Sequence, residues 1–451
     1  MSKSRPSGIT TTFIINTPAE QSIEENRKTI RSHVMRGKNR KKLPPRPPSW
    51  INGKQLQDLN RIRNAPTVPL TTISGEISPA VFETIWKLKD AMQPVELNLV
   101  SDRTRDSWLE PICSDAACLH FTIFVATVYQ DSIRGQRETN VTALAHFVKA
   151  LGLLQERLAS CEYKLSTSDP TILVVVGFTM VSTAMDDLGA ASRHIKGLHR
   201  MVTLRGGISA FFEDKQLQTK ILRADLSVAL ATGHRPLFFS KDIPWDSYIS
   251  SRRKTLISRG STLDVATPLL EIRHLLGDLD TRLRSVWDDV SEVVRAANVA
   301  MQCGLAMDGE LYQETMVSIH YRLVNLCFDT DNADEVIRLA LLALYSSIFL
   351  QWRGTKTRYK YLTQRLKQVL FQSTETIPVH LLIWVYIIYA VSSFDRGDQV
   401  WLHSSLAQVL QRTNLRSWSG IRAMLKSIVW LDAVHDSLAK CLIERIMELA
   451  S

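Results

Sequence analysis

Cysteine is scarce, six in 451 residues, which excludes a small disulfide-built scaffold. The spacing excludes more. No pair stands at the C-x-x-C interval of a zinc knuckle, finger or ribbon; Cys113 and Cys118 lie five apart, and Cys161, Cys303, Cys327 and Cys441 form no second close pair. Free buried or half-buried thiols in a reducing compartment are the expected state. Long hydrophobic runs are missing too. Ile172 to Met185, Val336 to Leu350 and Leu381 to Phe394 are about fourteen residues each, short of the ~20 needed to cross a bilayer, so they are expected as buried core helices. The N-terminus has no apolar run of secretory type, since Lys28, Arg31, Arg36 and Lys38 fall where one would end. Proline is thin after residue 80, and Asn-Gly or Asp-Gly hairpin turns are few, which argues against a β-rich body.

The body also lacks a charge of one sign. The chain carries 55 Lys+Arg and 45 Asp+Glu, a formal charge of +10. Fourteen of those cations and only four of the anions fall in residues 1–64, which leaves 41 of each for the rest. The whole excess therefore sits on an N-terminal arm. Thr10 to Ile15 reads as a short extended run. Thr17-Pro18-Ala19-Glu20 is a helix start: a cap, a proline at the first helical position and a carboxylate three after the cap. Ile23, Ile30 and Val34 then recur at near-helical spacing. The run ends in Arg36-Gly37-Lys38-Asn39-Arg40-Lys41-Lys42, and Leu43-Pro44-Pro45-Arg46-Pro47-Pro48 breaks it as a polyproline-like linker. Arg36, Lys38, Arg40, Lys41 and Lys42 are the candidate nuclear-import or phosphate-contact residues; a solvated basic tail is the plain alternative. No aromatic stacking residue stands among them.

From about residue 76 the sequence predicts helix after helix. Ile421, Met424, Leu425 and Ile428, then Val434, Leu438, Leu442, Ile446 and Leu449 follow three-and-four spacing. The expectation is an all-α multi-helix bundle or superhelical domain over 76–451, behind a disordered or partly helical basic arm at 1–48. Two sub-lobes divided near 240–260 are allowed for, because Phe239 to Ile257 is long for a connection inside a bundle.

Catalytic constellations are wanting. His194 and His199 are five apart, so they point about 140° away from each other on a helix and cannot chelate one ion from one face. Gly206-Gly207 lacks the Gly-Lys-Ser/Thr of a phosphate loop and reads as a helix stop. Ser417-Trp418-Ser419-Gly420 lacks the glycines of a nucleophile elbow. Asp288-Asp289-Val290-Ser291-Glu292 invites a Mg²⁺-diphosphate reading of the terpene-synthase kind, but no second metal motif follows, and a solvated acidic helix start is expected instead. Trp352, Trp384 and Trp401 are candidate pocket linings, with core packing the simpler assignment.

Several stretches taken together resemble the fungal-specific transcription factor regulatory domain of the zinc-cluster transcription factor family. These are Asn16 to Lys42 with Arg31-Ser32-His33-Val34-Met35-Arg36, His194 to Val202 running into Arg205-Gly206-Gly207, and Leu222-Arg223-Ala224-Asp225. Ile319 to Leu323, Ala333-Asp334-Glu335, Leu350-Gln351-Trp352-Arg353, Leu382-Ile383-Trp384, Ser417-Trp418, Leu425 and Trp430-Leu431-Asp432 continue the pattern. The resemblance implies an all-α, non-enzymatic regulatory or effector-responsive domain, without a cofactor, acting in the nucleus or in nucleus and cytoplasm both. Its partners would be transcription-machinery proteins or a small effector, with weak nucleic-acid contact through the arm and no membrane. In fuller members the domain follows a six-cysteine zinc cluster built on C-x2-C-x6-C; this sequence contains no such triplet, and its first cysteine is Cys113. Sequence-specific DNA binding by this chain alone is therefore not implied. An interaction scaffold, or an all-α enzyme with diphosphate chemistry, are the alternatives.

Overall fold

The computed structural model describes residues 112, 114–136, 141–160, 162–239, 243–252, 255–257, 270–351, 357–372, 377–393 and 396–450, preceded by 83, 85, 87, 88, 100 and 101. The basic arm 1–48 with its five cations, Cys113, Cys161 and Trp352 lie outside the described residues.

Short polar side chains start the helices, because the first turn of any helix leaves backbone N–H groups without intrahelical acceptors. Asp115 accepts from Cys118 N at 2.9 Å and opens α1 (Ala116–Ile133). Helices α2 (Val141–Ala159), α3 (Tyr163–Ser166) and α4 (Asp169–Ala184) follow. Asp187 caps α5 (Leu188–Leu204) and Asp214 caps α6 (Lys215–Thr232). The 237–257 stretch contains the short α7 (Tyr248–Arg252). Then come α8 (Leu270–Asp278), α9 (Thr281–Cys303) capped by Asp280, and α10 (Gly309–Asn325) capped by Asp308. Asn332 caps α11 (Ala333–Phe349). After α12 (Lys360–Gln372), α13 (Val379–Ile388) runs into a π-helical turn, Tyr389–Ser393. The chain closes with α14 (Gln399–Gln411), α15 (Trp418–Ile428), capped by Ser417, and α16 (Asp432–Ala450). Strand is confined, among the described residues, to β1 (Val100–Ser101) paired in parallel with β2 (Met307–Asp308), with Ile257 bridging Met307 from the other side. The fold is all-α, as the three-and-four spacing predicts.

Two hydrophobic cores form. One gathers Leu144 and Phe147 of α2, Ile172 and Val176 of α4, and Ile195 and Leu198 of α5, around Phe124 of α1. The other is larger and built on α9 to α16, with Val290, Ile319, Leu341, Trp384, Leu425 and Trp430 all essentially out of contact with water. Helix α6 belongs to both. Leu217, Ile221, Ala224 and Val228 enter the first core and Leu222, Leu226, Leu230 and Ala231 the second. A helix clad in apolar residues on two sides is a wall between compartments rather than a surface helix.

The three apolar runs become the most buried helices. The stretch Tyr163–Ala184 is long and apolar enough to span a bilayer, yet the chain breaks it at Thr167 and Ser168, and α4 packs against α1, α5 and α6. Its contact with α1 depends on Gly177. A Cβ there would fall 2.1 Å from Cε1 of Phe121, whose ring meets Phe178 edge-on at 4.9 Å. Gly177→Ala is therefore expected to force the two helices apart and lose about 1–3 kcal/mol, read as a lower urea midpoint; an unchanged midpoint would show that the ring swings aside freely.

Gly206 and Gly207, with φ of +103° and +89°, stop α5 as expected. Arg205 does more than face the last carbonyls: it pairs with Asp169 and lies 4.4 Å over the ring of Phe211. His194 stacks on Phe178 and His199 tilts against Phe238, so the two point to different neighbours. The thiols depart from expectation. Cys118 is buried, but Cys303, Cys327 and Cys441 are exposed.

Candidate functional site

The second core contains charged groups that its apolar surroundings must compensate, since an unpaired charge out of water is far costlier than an unmade hydrogen bond. Asp289 is the first. It lies in mid-helix α9 on the stripe of Val286, Val290 and Val293, with neither its side chain nor that of Arg322 on α10 reaching water. The two form an ion pair. Asp289 also accepts from Ser247 Oγ at 2.6 Å, Tyr248 N at 2.8 Å and Ile249 N at 3.2 Å. This corrects the solvated acidic helix start: the residue falls where the helical phase puts a core side chain, and its oxygens are taken by a guanidinium and the start of α7. Among the described residues no group of three or more His, Cys, Asp or Glu is placed to hold a metal ion.

Asp225 of α6 is the second. Its carboxylate accepts from Leu237 N at 2.9 and 3.0 Å, Phe238 N at 3.1 Å and Tyr321 Oη at 2.8 Å. Burial raises its pKa, and these donors pull it back only in part. Asn325 of α10 adds a bond to Phe239 O at 3.1 Å. Further along, Glu314 of α10 takes Tyr248 Oη at 2.8 Å and Lys215 Nζ at 2.9 Å. Burial and Glu314 push the Tyr248 phenol up to about 12. The long connection after α6 is thus a strap. Buried acids or amides from α6, α9 and α10 grip its backbone at 237–239 and 247–249, while Phe238, Phe239, Trp245 and Tyr248 lie on the core beneath.

A third acid, Glu335 of α11, is fully buried and meets Arg338 through two bonds of 2.7 Å, with Arg365 of α12 at 3.4 Å. Arg223 of α6 differs from all of these. Its Nε is sealed from water and has no hydrogen-bond partner, its guanidinium lies 4.9 Å over the ring of Phe349, and no carboxylate among the described residues pairs with it. Burial lowers its pKa, with the Tyr359 and Tyr312 hydroxyls nearby opposing; an arginine nevertheless stays cationic. Beside it, His320 of α10 bonds Met316 O through Nδ1 at 2.7 Å and packs 5.3 Å from the same Phe349 ring. Burial pushes this imidazole down to about 4. Since a carbonyl only accepts, Nδ1 carries the proton and Nε2, which has no partner, is an acceptor. Tyr312 also lines a small apolar cavity of about 10 Å³ with Val293, Met316 and Tyr345, room for a single water at most.

In the first core α1 and α2 meet through a second histidine site. His120 Nδ1 and His146 Nδ1 are 2.8 Å apart, so one must donate and the other accept, and the pair cannot carry two charges. Burial lowers both, His120 to about 4.

Of the expected pocket linings, the two described tryptophans, Trp384 and Trp401, take up separate places. Trp384 is core, donating to Val429 O at 2.7 Å. Trp401 belongs to an outer cluster with Phe371, Tyr386 and Tyr389, with Lys367 over its ring at 5.4 Å. Arg36, Lys38, Arg40, Lys41 and Lys42 are outside the described residues.

Among the described residues the buried acids are taken up by donors, no group is placed to hold a metal, and the all-α body is folded around a shared wall. Residues 90–433 match the fungal-specific transcription factor domain, and the chain belongs to that family, whose domain is a regulatory one. No curated protein and no solved structure matches the chain.

Proposed function

We propose that this chain is a non-enzymatic regulator of transcription. Its helical body binds a partner protein or small effector, and its basic arm carries it into the nucleus. Membership of a transcription-factor family across residues 90–433 carries the reading. The character of the buried charges supports it. Asp225, Asp289, Glu314 and Glu335 spend their oxygens on holding helices and strap together, which is the work of a packing that can be biased, not of an acid or base facing a substrate. The arm's cations at Arg36, Lys38, Arg40, Lys41 and Lys42 supply an import address and at most a non-specific grip on phosphates.

Replacing Lys38, Arg40, Lys41 and Lys42 together with Ala is expected to abolish nuclear accumulation of the tagged full-length chain, read as its nuclear-to-cytoplasmic ratio by microscopy. An unaltered ratio would remove the arm from the proposal. Duplex binding by the full chain, where it occurs, should weaken with salt at a slope of about −0.9 per phosphate neutralised, and should ignore DNA sequence.

A further inference from the structure

Arg223 is the feature that the packing described so far does not use. Among the described residues, every other strongly buried charge of the second core has a partner of opposite sign or a set of donors. Arg223 has an aromatic ring, two tyrosine hydroxyls and a neutral histidine. A cation held against a ring gains from the ring's negative face, but the ring cannot take its N–H groups, and the Nε–H remains sealed and unbonded. The residue as a whole is half-buried. Helices α10 and α11, which carry its neighbours Tyr312, His320 and Phe349, hold further buried polar groups. His320 Nε2, Thr315 Oγ1 and Ser346 Oγ are buried without a hydrogen-bond partner, on the faces of α10 and α11 that carry Tyr312, Tyr345 and Phe349. An apolar core gains nothing from such groups; each costs about 1–3 kcal/mol when its hydrogen bond is left unmade.

We propose that Arg223 is the anchor of a binding site for a small oxyanion, held by the guanidinium fork between α6, α10 and α11. Guanidinium is the group best matched to two oxygens of one carboxylate or phosphate. His320 refines the match: its Nε2 lone pair asks for a donor, so an oxyanion that itself bears a hydroxyl fits better than a bare one. Inorganic phosphate and a short 2-hydroxy acid share that chemistry. The bound charge would neutralise Arg223 where α6, the wall between the two cores, meets α10 and α11, so its energy of binding favours the packing in which these three helices are closed on one another. This deepens the effector reading above and rests on it, but the two fail separately, because import by the arm and anion binding by the body are measured on different parts of the chain.

The test uses the full chain labelled with ¹⁵N-arginine. Inorganic phosphate and lactate are titrated in turn while the Arg223 Nε–H resonance is followed, and melting temperature is read in parallel. The expected result is a saturable shift of that resonance with one of the two anions, a rise in melting temperature with the same anion, and at least tenfold weaker binding in Arg223→Lys, which keeps the charge and loses the fork. The anion that saturates identifies the source. If Arg223→Lys does not fold, Phe349→Leu assigns the resonance by removing the ring current, and the titration of the unaltered chain still decides. Absence of a saturable shift with both anions, or binding of equal strength in Arg223→Lys, overturns the proposal.

Discussion

Arg322→Ala is expected to lose about 3–5 kcal/mol, a large share of the about 5–15 kcal/mol of an ordinary domain, its side chain being fully buried. The substitution leaves Asp289 in the core with no counter-ion, where its side chain is wholly shielded from water. Taking out both charges, Arg322→Met with Asp289→Leu, removes the unpaired charge but does not restore the wild type. Ser247 Oγ, Tyr248 N and Ile249 N lose their acceptor, and each buried donor so orphaned costs about 1–3 kcal/mol. The double variant should therefore lie between the single variant and wild type in urea midpoint. Its strap should be cut faster than wild type by a protease in the 237–252 stretch. A double variant as stable as wild type, with the strap equally protected, would mean that Asp289 serves Arg322 alone.

Mild acid should unfold the protein well before its carboxylates are neutralised. His120 faces His146 and the charge of Lys149; His320 faces Arg223 on α6 and the rings of Tyr345 and Phe349 on α11. Both imidazoles accept a proton only at about pH 4 in the folded chain, against about 6.5 when unfolded. Between those values the unfolded chain holds more protons, so stability is complete above pH 6.5 and falls as pH drops, by up to about 1.4 kcal/mol per pH unit for each ring. Asp225, Asp288 and Asp334, whose carboxyls burial raises, bind protons more readily when folded and soften the slope near its lower end. Replacing His120 and His320 with Gln should flatten the urea midpoint between pH 6.5 and 4, whatever it does to stability at pH 7. A profile of the same steepness in the double variant would rule the two rings out.

The fold was readable from the sequence wherever spacing or a glycine stop decided it. The three apolar runs fill the cores and Gly206-Gly207 ends its helix, whereas the Asp and Asn caps from Asp115 to Asn332 came from the structure. The charged interior was less readable, for a physical reason. Asp225 stands three after Leu222 and four after Ile221, Asp289 three after Val286, and Arg322 three after Ile319, so each falls on an apolar phase. That phase predicts burial but not the partner. The Asp289 partners come from residues 33 to 42 positions away, and Asp225 is met by Tyr321, 96 positions on. Asp288 and Asp289 are neighbours in sequence but not in setting: the first is exposed and the second lies on the apolar stripe of α9. Arg223, inside the resembling stretch Leu222-Arg223-Ala224-Asp225, carries no local sign that its charge is unmatched.

Helix α6 sets a rule for dissecting this protein. Cutting the chain after Thr232 would leave Leu222, Leu226 and Leu230 facing solvent, and starting it at Lys215 would strand Leu217, Ile221 and Val228 in the same way. Either fragment would present a greasy flank and clump. Insertions, tags and deletions belong outside this one shared beam, because the two oily compartments it joins cannot be expressed apart.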